Sequence, residues 1–238
     1  MKILHLYYDL MNLYGEYANV SVLERYIEQQ GINVEADKKS LYDDIDFSKY
    51  DFIYIGSGTE KKQLVALENM MQRKDAIKAA YESGAIILAT GNAFELFGKK
   101  IISPDGKENE ALGFFDFFTK VSSSERTLTD QVCTCPAGKK TVGFINKASE
   151  NIGIKNPMFT VDFGEGNNKE EKTEGIIEKN FFGTHLTGPC LVKNPHMAEY
   201  FVRLICEKED KEYIGIECEY EKKAYEITLS ELLNRFGK

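Results

Sequence analysis

Apolar residues fall in two rhythms along the first hundred positions. Ile3 to Tyr7, Asp51-Phe52-Ile53-Tyr54-Ile55 and Ala85 to Ala89 are short, nearly continuous apolar runs with the length of buried strands. Val20 to Glu28 instead spaces its apolar residues helically and stops at Gly31, the residue type that closes helices in the left-handed conformation. Ile32 to Ala36 restarts a strand, and the run ending at Ile55 is cut by Gly56-Ser57-Gly58. Gln63 to Glu82 reads as one long helix closed by Ser83-Gly84. Strand and helix in alternation predict a parallel sheet with helices on both faces.

The second half changes character. Phe114 to Thr119, Gln131 to Cys135, Thr141 to Asn146 and Phe159 to Phe163 are short β-rich runs separated by Gly, Pro, Ser and Lys. Gly164 to Lys172 reads as a polar turn, Phe181 to Leu186 as a core strand and Pro195 to Cys206 as a helix. Tyr213 to Lys238 is charged and partly amphipathic, a strand or a helix folded back on the surface. With no internal repeat or low-complexity tract, residues 1–238 are expected to form a single domain.

The junction after the third apolar run carries the chemistry. Ile86 to Ala89 passes through Thr90-Gly91-Asn92 into Phe94-Glu95-Leu96-Phe97, a strand-to-helix turn built like a nucleophile elbow. Such turns expose a Ser or Cys at the apex, with helix N–H groups ready to stabilise negative charge. Here the apex is Gly91, which suits a strained turn and has no side chain with which to attack.

Composition narrows the partners. A formal charge of −8 argues against a general nucleic-acid or anionic-membrane surface. No run is long enough for membrane insertion, and the N-terminal apolar run is too short for a signal peptide. Five cysteines, an odd count, argue against a disulfide framework and for a reducing, cytoplasmic setting. Cys133-Thr134-Cys135 lacks zinc-site spacing and reads as two small thiols on one strand face. Asp43, Asp44 and Asp46 read as an acidic loop rather than a metal site, and no cofactor is expected. His5 and His196 read as surface or strand-end residues, and Lys61-Lys62, Lys99-Lys100 and Glu207 to Glu212 as solvated.

Several segments in order resemble class I glutamine amidotransferase domains of the cobyric acid synthase type. Within that family the chain is most similar to the glutaminase subunit of lipid II isoglutaminyl synthase. The matching segments are Tyr8 to Gly15 with Asn19; Gly56-Ser57-Gly58-Thr59-Glu60 with Gln63; and Leu88 to Gly98. They continue with Leu112 to Asp116 and Arg126; Val142 to Asn146; and Gly164 to Asn168 with Glu174-Gly175. Gly183 to Pro189 and Lys193-Asn194-Pro195 complete the set. The resemblance implies a three-layer, flavodoxin-like α/β domain with a mixed, mostly parallel sheet.

The family's chemistry needs an elbow Cys that attacks the glutamine amide, a His that activates it, and N–H donors for the oxyanion. Carried over by position, the Cys falls on Gly91 and the His of the Leu-His-Gly-Pro run on Thr187. The glutamine-binding loop reads Gly-Ser-Gly-Thr-Glu where the family usually has Gly-Gly-Gly-Gln-Asp. Ile145 and Lys147 stand where the family usually has Glu and His, whereas Arg126 matches. The expected pocket lining is Gly56, Ser57, Gly58, Thr59, Asn92, Ala93, Arg126 and His185. Thr90 is expected to point into the sheet, and Cys190 to lack a base.

Two losses at residues that act as a unit imply a degenerate amidotransferase without glutaminase activity. The resemblance further implies a non-catalytic subunit on a Mur-ligase-like partner in cell-wall precursor amidation. The rivals are an amidotransferase or amide hydrolase with a relocated nucleophile, and a sensor of a glutamine-like ligand.

Overall fold

The computed structural model describes residues 1–236. The first half lays down β1 (Lys2–Leu6), α1 (Tyr17–Glu28), β2 (Glu35–Lys39), β3 (Phe52–Ile55), α2 (Glu60–Gln72), α3 (Lys74–Glu82) and β4 (Ile86–Thr90). A 3-10 helix, Gly91–Phe97, follows β4 directly. The middle is β-rich: β5 (Lys100–Ile102), β6 (Glu108–Glu110), β7 (Phe118–Val121), β8 (Thr127–Thr134), β9 (Lys140–Lys147), β10 (Ser149–Ile152), β11 (Phe159–Phe163) and β12 (Thr173–Glu174). The chain closes with β13 (Ile176–Glu178), β14 (Phe181–Thr184), α4 (Cys190–Lys193), α5 (Pro195–Lys208) and α6 (Glu219–Phe236).

The central sheet has six strands in the order β13-β14-β4-β3-β1-β2, parallel except for the antiparallel edge strand β13. Alternation along its strands feeds two cores. Phe52, Tyr54, Ile86, Leu88 and Phe182 pack under α1 and α5, with Leu23, Tyr26, Phe201 and Ile205. Ile53, Ile55, Ile87, Ala89 and Phe181 pack under α2 and α3, with Leu67, Met70, Ile77 and Ala80. Burial on both faces explains why these strands read as unbroken apolar runs. The result is the three-layer α/β arrangement with a mixed, mostly parallel sheet.

Two further four-stranded sheets have the orders β10-β7-β5-β6 and β12-β11-β8-β9. Cys133, Ile145, Met158, Phe159 and Val161 extend the core beneath α1 and α5 into the second of them. Across that sheet, α6 sets Leu232 against Val132 and Val142, stacks Phe236 on Phe163 at 3.6 Å, and donates Tyr225 OH to Lys140 O at 2.6 Å.

Several expected boundaries move. Gln63 to Glu82 is two helices, because the chain breaks at Arg73, whose φ of −112° and ψ of 8° are not helical. The strand expected over Ile32 to Ala36 starts at Glu35, and that expected over Phe114 to Thr119 runs from Phe118 to Val121. Of the tail, Glu219–Phe236 is the helix α6, and residues 237–238 lie outside the described residues. The helix expected from Phe94 starts at Gly91 and is a 3-10 helix stopped by Gly98 after seven residues, longer than such helices usually run. His5 lies buried in β1 against the Tyr54 ring, not at the surface, because its strand is central.

Leu232 is buried on α6 while its neighbour Leu233 is exposed. Leu232→Ala is expected to cost about 2–3 kcal/mol in urea unfolding, and Leu233→Ala well under about 1 kcal/mol.

Candidate functional site

Three adjacent parallel strands end at one place. β3 runs into Gly56-Ser57-Gly58, β4 into Gly91-Asn92, and β14 into His185-Leu186-Thr187. The carboxyl ends of parallel strands are where open α/β sheets bind ligands. Gly91 has φ +59°, the strained geometry of an elbow apex.

A Cβ placed on Gly91 would lie 1.6 Å from Ser57 Oγ, 2.7 Å from Ser57 Cβ and 3.2 Å from Thr187 Cγ2. The space an elbow side chain would enter therefore belongs to Ser57. Rotating the Ser57 hydroxyl relieves only the first contact, because Cβ stays too close. The Ser57 backbone cannot retreat easily. Its N–H donates to Glu16 Oε2 at 2.5 Å and its carbonyl accepts Leu13 N–H at 3.0 Å. Ser57 Oγ is buried without a hydrogen-bond partner.

Thr187 completes this contact without offering a base. Its backbone N–H and its hydroxyl both donate to Phe144 O, each at 2.9 Å. Asn92 pins the facing loop by accepting from Gly58 N–H and donating to Gly58 O, each at 3.0 Å.

Glu16 anchors a buried polar chain beneath the loop. Its Oε2 also accepts Thr90 Oγ1 at 3.2 Å; Thr90 Oγ1 lies 2.8 Å from Tyr54 OH, which accepts Asn19 Nδ2 at 2.8 Å. Glu16 Oε1 has no partner. Burial pushes the carboxyl up to about 7, against the opposing hydrogen bonds from Ser57 N–H and Thr90. Thr90 does point into the sheet.

A second buried cluster surrounds His185. Its Nε2 is 3.1 Å from Glu95 Oε1, and its Nδ1 is 3.6 Å from Glu174 Oε1. Glu95 accepts Ser149 Oγ and Gln63 Nε2, the first at 2.5 Å and the second at 2.6 Å. Glu174 accepts Thr184 Oγ1 at 2.7 Å and His185 N–H at 2.7 Å. Lys147 turns its ammonium inward onto Gly166 O and Asn167 O. Burial holds its pKa below the usual lysine range, although Glu174 and Glu95 pull the other way.

The open cleft above is small, ≈ 160 Å³, against the roughly 300–1,000 Å³ of common ligand pockets. Of the expected lining, Ser57, Gly58, Thr59, Asn92 and Arg126 border it, joined by Leu13, Tyr14, Gln63, Glu95 and Asn146. Gly56, Ala93 and His185 are buried and do not border it. Arg126 crosses the mouth, paired with Glu60 and donating to Asn146 Oδ1 at 2.7 Å, while Asn146 donates to Tyr14 OH at 2.6 Å. Cys190 is buried away from this cleft, 3.9 Å from Asn19 Oδ1, and burial pushes its thiol well up. Reading the sequence missed Glu16, Glu95 and Glu174, which look like surface acids. Two signals were available: Glu95 stands inside the apolar run Ala93 to Phe97, and Glu174 beside Gly175, both in matching segments.

Solved structures share this fold. A glutamine amidotransferase crystal structure superposes with TM-score 0.55 at 11% identity, covering 84% of this chain and 97% of that one. A glutamine amidotransferase from Thermotoga maritima gives TM-score 0.53 at 8% identity over 99% and 97% of the two chains. At the level of sequence, residues 2–195 match the CobB/CobQ-like glutamine amidotransferase domain, and the chain belongs to that family. Among its relatives is the lipid II isoglutaminyl synthase (glutamine-hydrolyzing) subunit GatD of Staphylococcus aureus strain N315. That subunit is 34% identical over 88% of this chain and 86% of its own length. The GatD subunit of Streptococcus pneumoniae strain R6 is 30% identical over 88% and 82%.

Two measurements check the geometry. Gly91→Cys is expected to destabilise the fold by about 1–3 kcal/mol through overpacking, and Ser57→Gly in the same chain to recover the part due to the Ser57 contact, leaving the strain of a side chain at φ +59°. Thermal melts of the three chains decide it; an unperturbed single variant would contradict the contact. Glu16 has a raised folded pKa, so the native state holds its proton between about 4.5 and about 7 and stability falls as pH rises through that window. Glu16→Gln is expected to raise Tm relative to the parent at pH 8, and to give no such gain at pH 4.5.

Proposed function

We propose that this chain is a non-catalytic, glutaminase-like subunit that docks on a Mur-ligase-like partner in the amidation of a lipid II-type cell-wall precursor. Ammonia then comes from another source. One observation carries the loss of glutaminase chemistry: the side-chain space at the elbow is filled by Ser57. Gly91 cannot attack, Thr187 spends its hydroxyl on Phe144 O, and Ser57 Oγ has no base hydrogen-bonded to it. Acyl transfer of this type needs nucleophile, base and oxyanion donors in one tight geometry. The subunit role is supported by the similarity to GatD subunits over most of both chains, and retention of the elbow fold is in keeping with it. The small, bridged cleft counts against a glutamine sensor.

Incubation with glutamine is expected to release no ammonia above the uncatalysed rate, and a glutamine-like chloroketone to leave the intact mass unchanged. A stoichiometric adduct or steady ammonia release would restore the reading of a relocated nucleophile. Size-exclusion chromatography with a Mur-ligase-like protein encoded beside this chain is expected to show one co-eluting complex. Separate elution would remove the subunit role and leave the loss of activity standing.

A further inference from the structure

A hollow unrelated to the elbow opens on the other side of β14. It lies between α5, the start of β11, the edge strand β13 and the β8–β9 turn, and its volume is ≈ 430 Å³. That is within the range of small-molecule pockets. None of its lining residues borders the cleft beside Ser57. Its apolar wall includes Met158, Phe159, Ile177, Phe182, Met197 and Tyr200. Met158, Phe159, Phe182 and Met197 are buried members of the main core, so the hollow reaches core side chains rather than skirting the surface. Two methionines in such a wall adapt to the shape of a guest.

The rim decides the charge of that guest. Glu199 and Arg203 satisfy each other, with Arg203 Nη2 at 2.8 Å and Nε at 3.2 Å from Glu199 Oε1. The Arg203 guanidinium also sits 3.8 Å from the Tyr213 ring centroid. His196 Nε2 lies 3.1 Å from Thr141 Oγ1, and burial lowers its pKa to about 4, which leaves it neutral near pH 7. Lys139 is the remaining charge. It is exposed, forms no ion pair among the described residues, and is held at the rim by a closed turn. Cys135 N–H donates to Lys139 O at 3.0 Å, and Gly138 N–H to Cys135 O at 2.8 Å. An unbalanced cation beside an apolar hollow, in a chain of net charge −8, favours one kind of molecule.

We infer that this hollow binds an amphiphilic monoanion, a linear or flat apolar body ending in one carboxylate or sulfonate. The body lies against Phe159, Phe182 and Tyr200, and the anionic end meets Lys139. Cys135 lines the hollow and is half-buried, whereas Cys133, Cys190, Cys206 and Cys218 are buried, so its thiol reports occupancy.

The test uses the full chain and the fluorescent fatty acid 11-(dansylamino)undecanoate. Saturable binding is expected, displaced by decanoate and not by dodecyltrimethylammonium, with Cys135 modification by Ellman's reagent slowed in parallel. Lys139→Glu is expected to weaken the probe roughly threefold or more, a modest effect because the cation is exposed, with an unchanged melting temperature. Ile177→Trp fills the hollow from a half-buried edge position and is expected to abolish both binding and thiol protection. No saturable binding to the folded parent chain overturns the inference. So does equal displacement by the cationic amphiphile, or binding that leaves Cys135 reactivity unchanged.

Discussion

A buried carboxylate without a cation beside it sets the geometry of the strand ends. Glu16 forms no ion pair among the described residues and has one unpartnered oxygen, so its other oxygen carries the whole local arrangement. That oxygen binds the Ser57 N–H and the Thr90 hydroxyl, and thereby ties the loop after β3 to the end of β4 and to the entrance of α1. Removing such a group from water is costly unless hydrogen bonds replace hydration. The hydrogen-bonded chain through Thr90, Tyr54 and Asn19 supplies them within the sheet layer. Because Ser57 is fixed from its backbone, its side chain has little choice of direction. The state of the elbow follows from that.

Most of the layer architecture could be read from the chain because each central strand is buried on both faces. Phe52 to Ile55 and Ile86 to Ala89 send alternate residues to two cores, and no polar residue interrupts the apolar signal. The break at Arg73 gave no signal because Gln72-Arg73-Lys74 contains no glycine or proline. The 3-10 geometry after Gly91 was hidden for a different reason. Its apolar residues, Ala93, Phe94, Leu96 and Phe97, also satisfy a helical pattern, and only the tertiary packing around them distinguishes the two.

The site was legible as a set of positions and not as a geometry. Sequence placed Ser57, Gly91 and Thr187 in matching segments far apart, and the resemblance marked all three as altered. It did not reveal that Ser57 reaches into the space of Gly91. Nor did it show what pairs the buried acids: Glu174 lies in a segment whose polarity suits a surface, and Glu95, though flanked by Phe94 and Leu96, has its partners elsewhere in the chain. Their burial depends on Gln63, Ser149 and the adjacent Thr184 and His185 arriving from three other parts of the chain. The apolar hollow was also invisible, because Met158, Ile177 and Tyr200 look like ordinary core residues until their spacing in three dimensions is known.

The contact between Ser57 and Gly91 also constrains the routes by which this sequence can change. With serine at 57, any side chain at 91 meets a wall; with glycine at 57, the two shortest contacts are gone and Thr187 Cγ2 at 3.2 Å remains. The two positions are therefore coupled in order as well as in identity. A larger residue at 91 is expected to cost less stability once 57 is glycine, a change that by itself adds no reactive group. The serine thus biases the order in which the two positions can change, because a side chain at the elbow is less destabilising second than first.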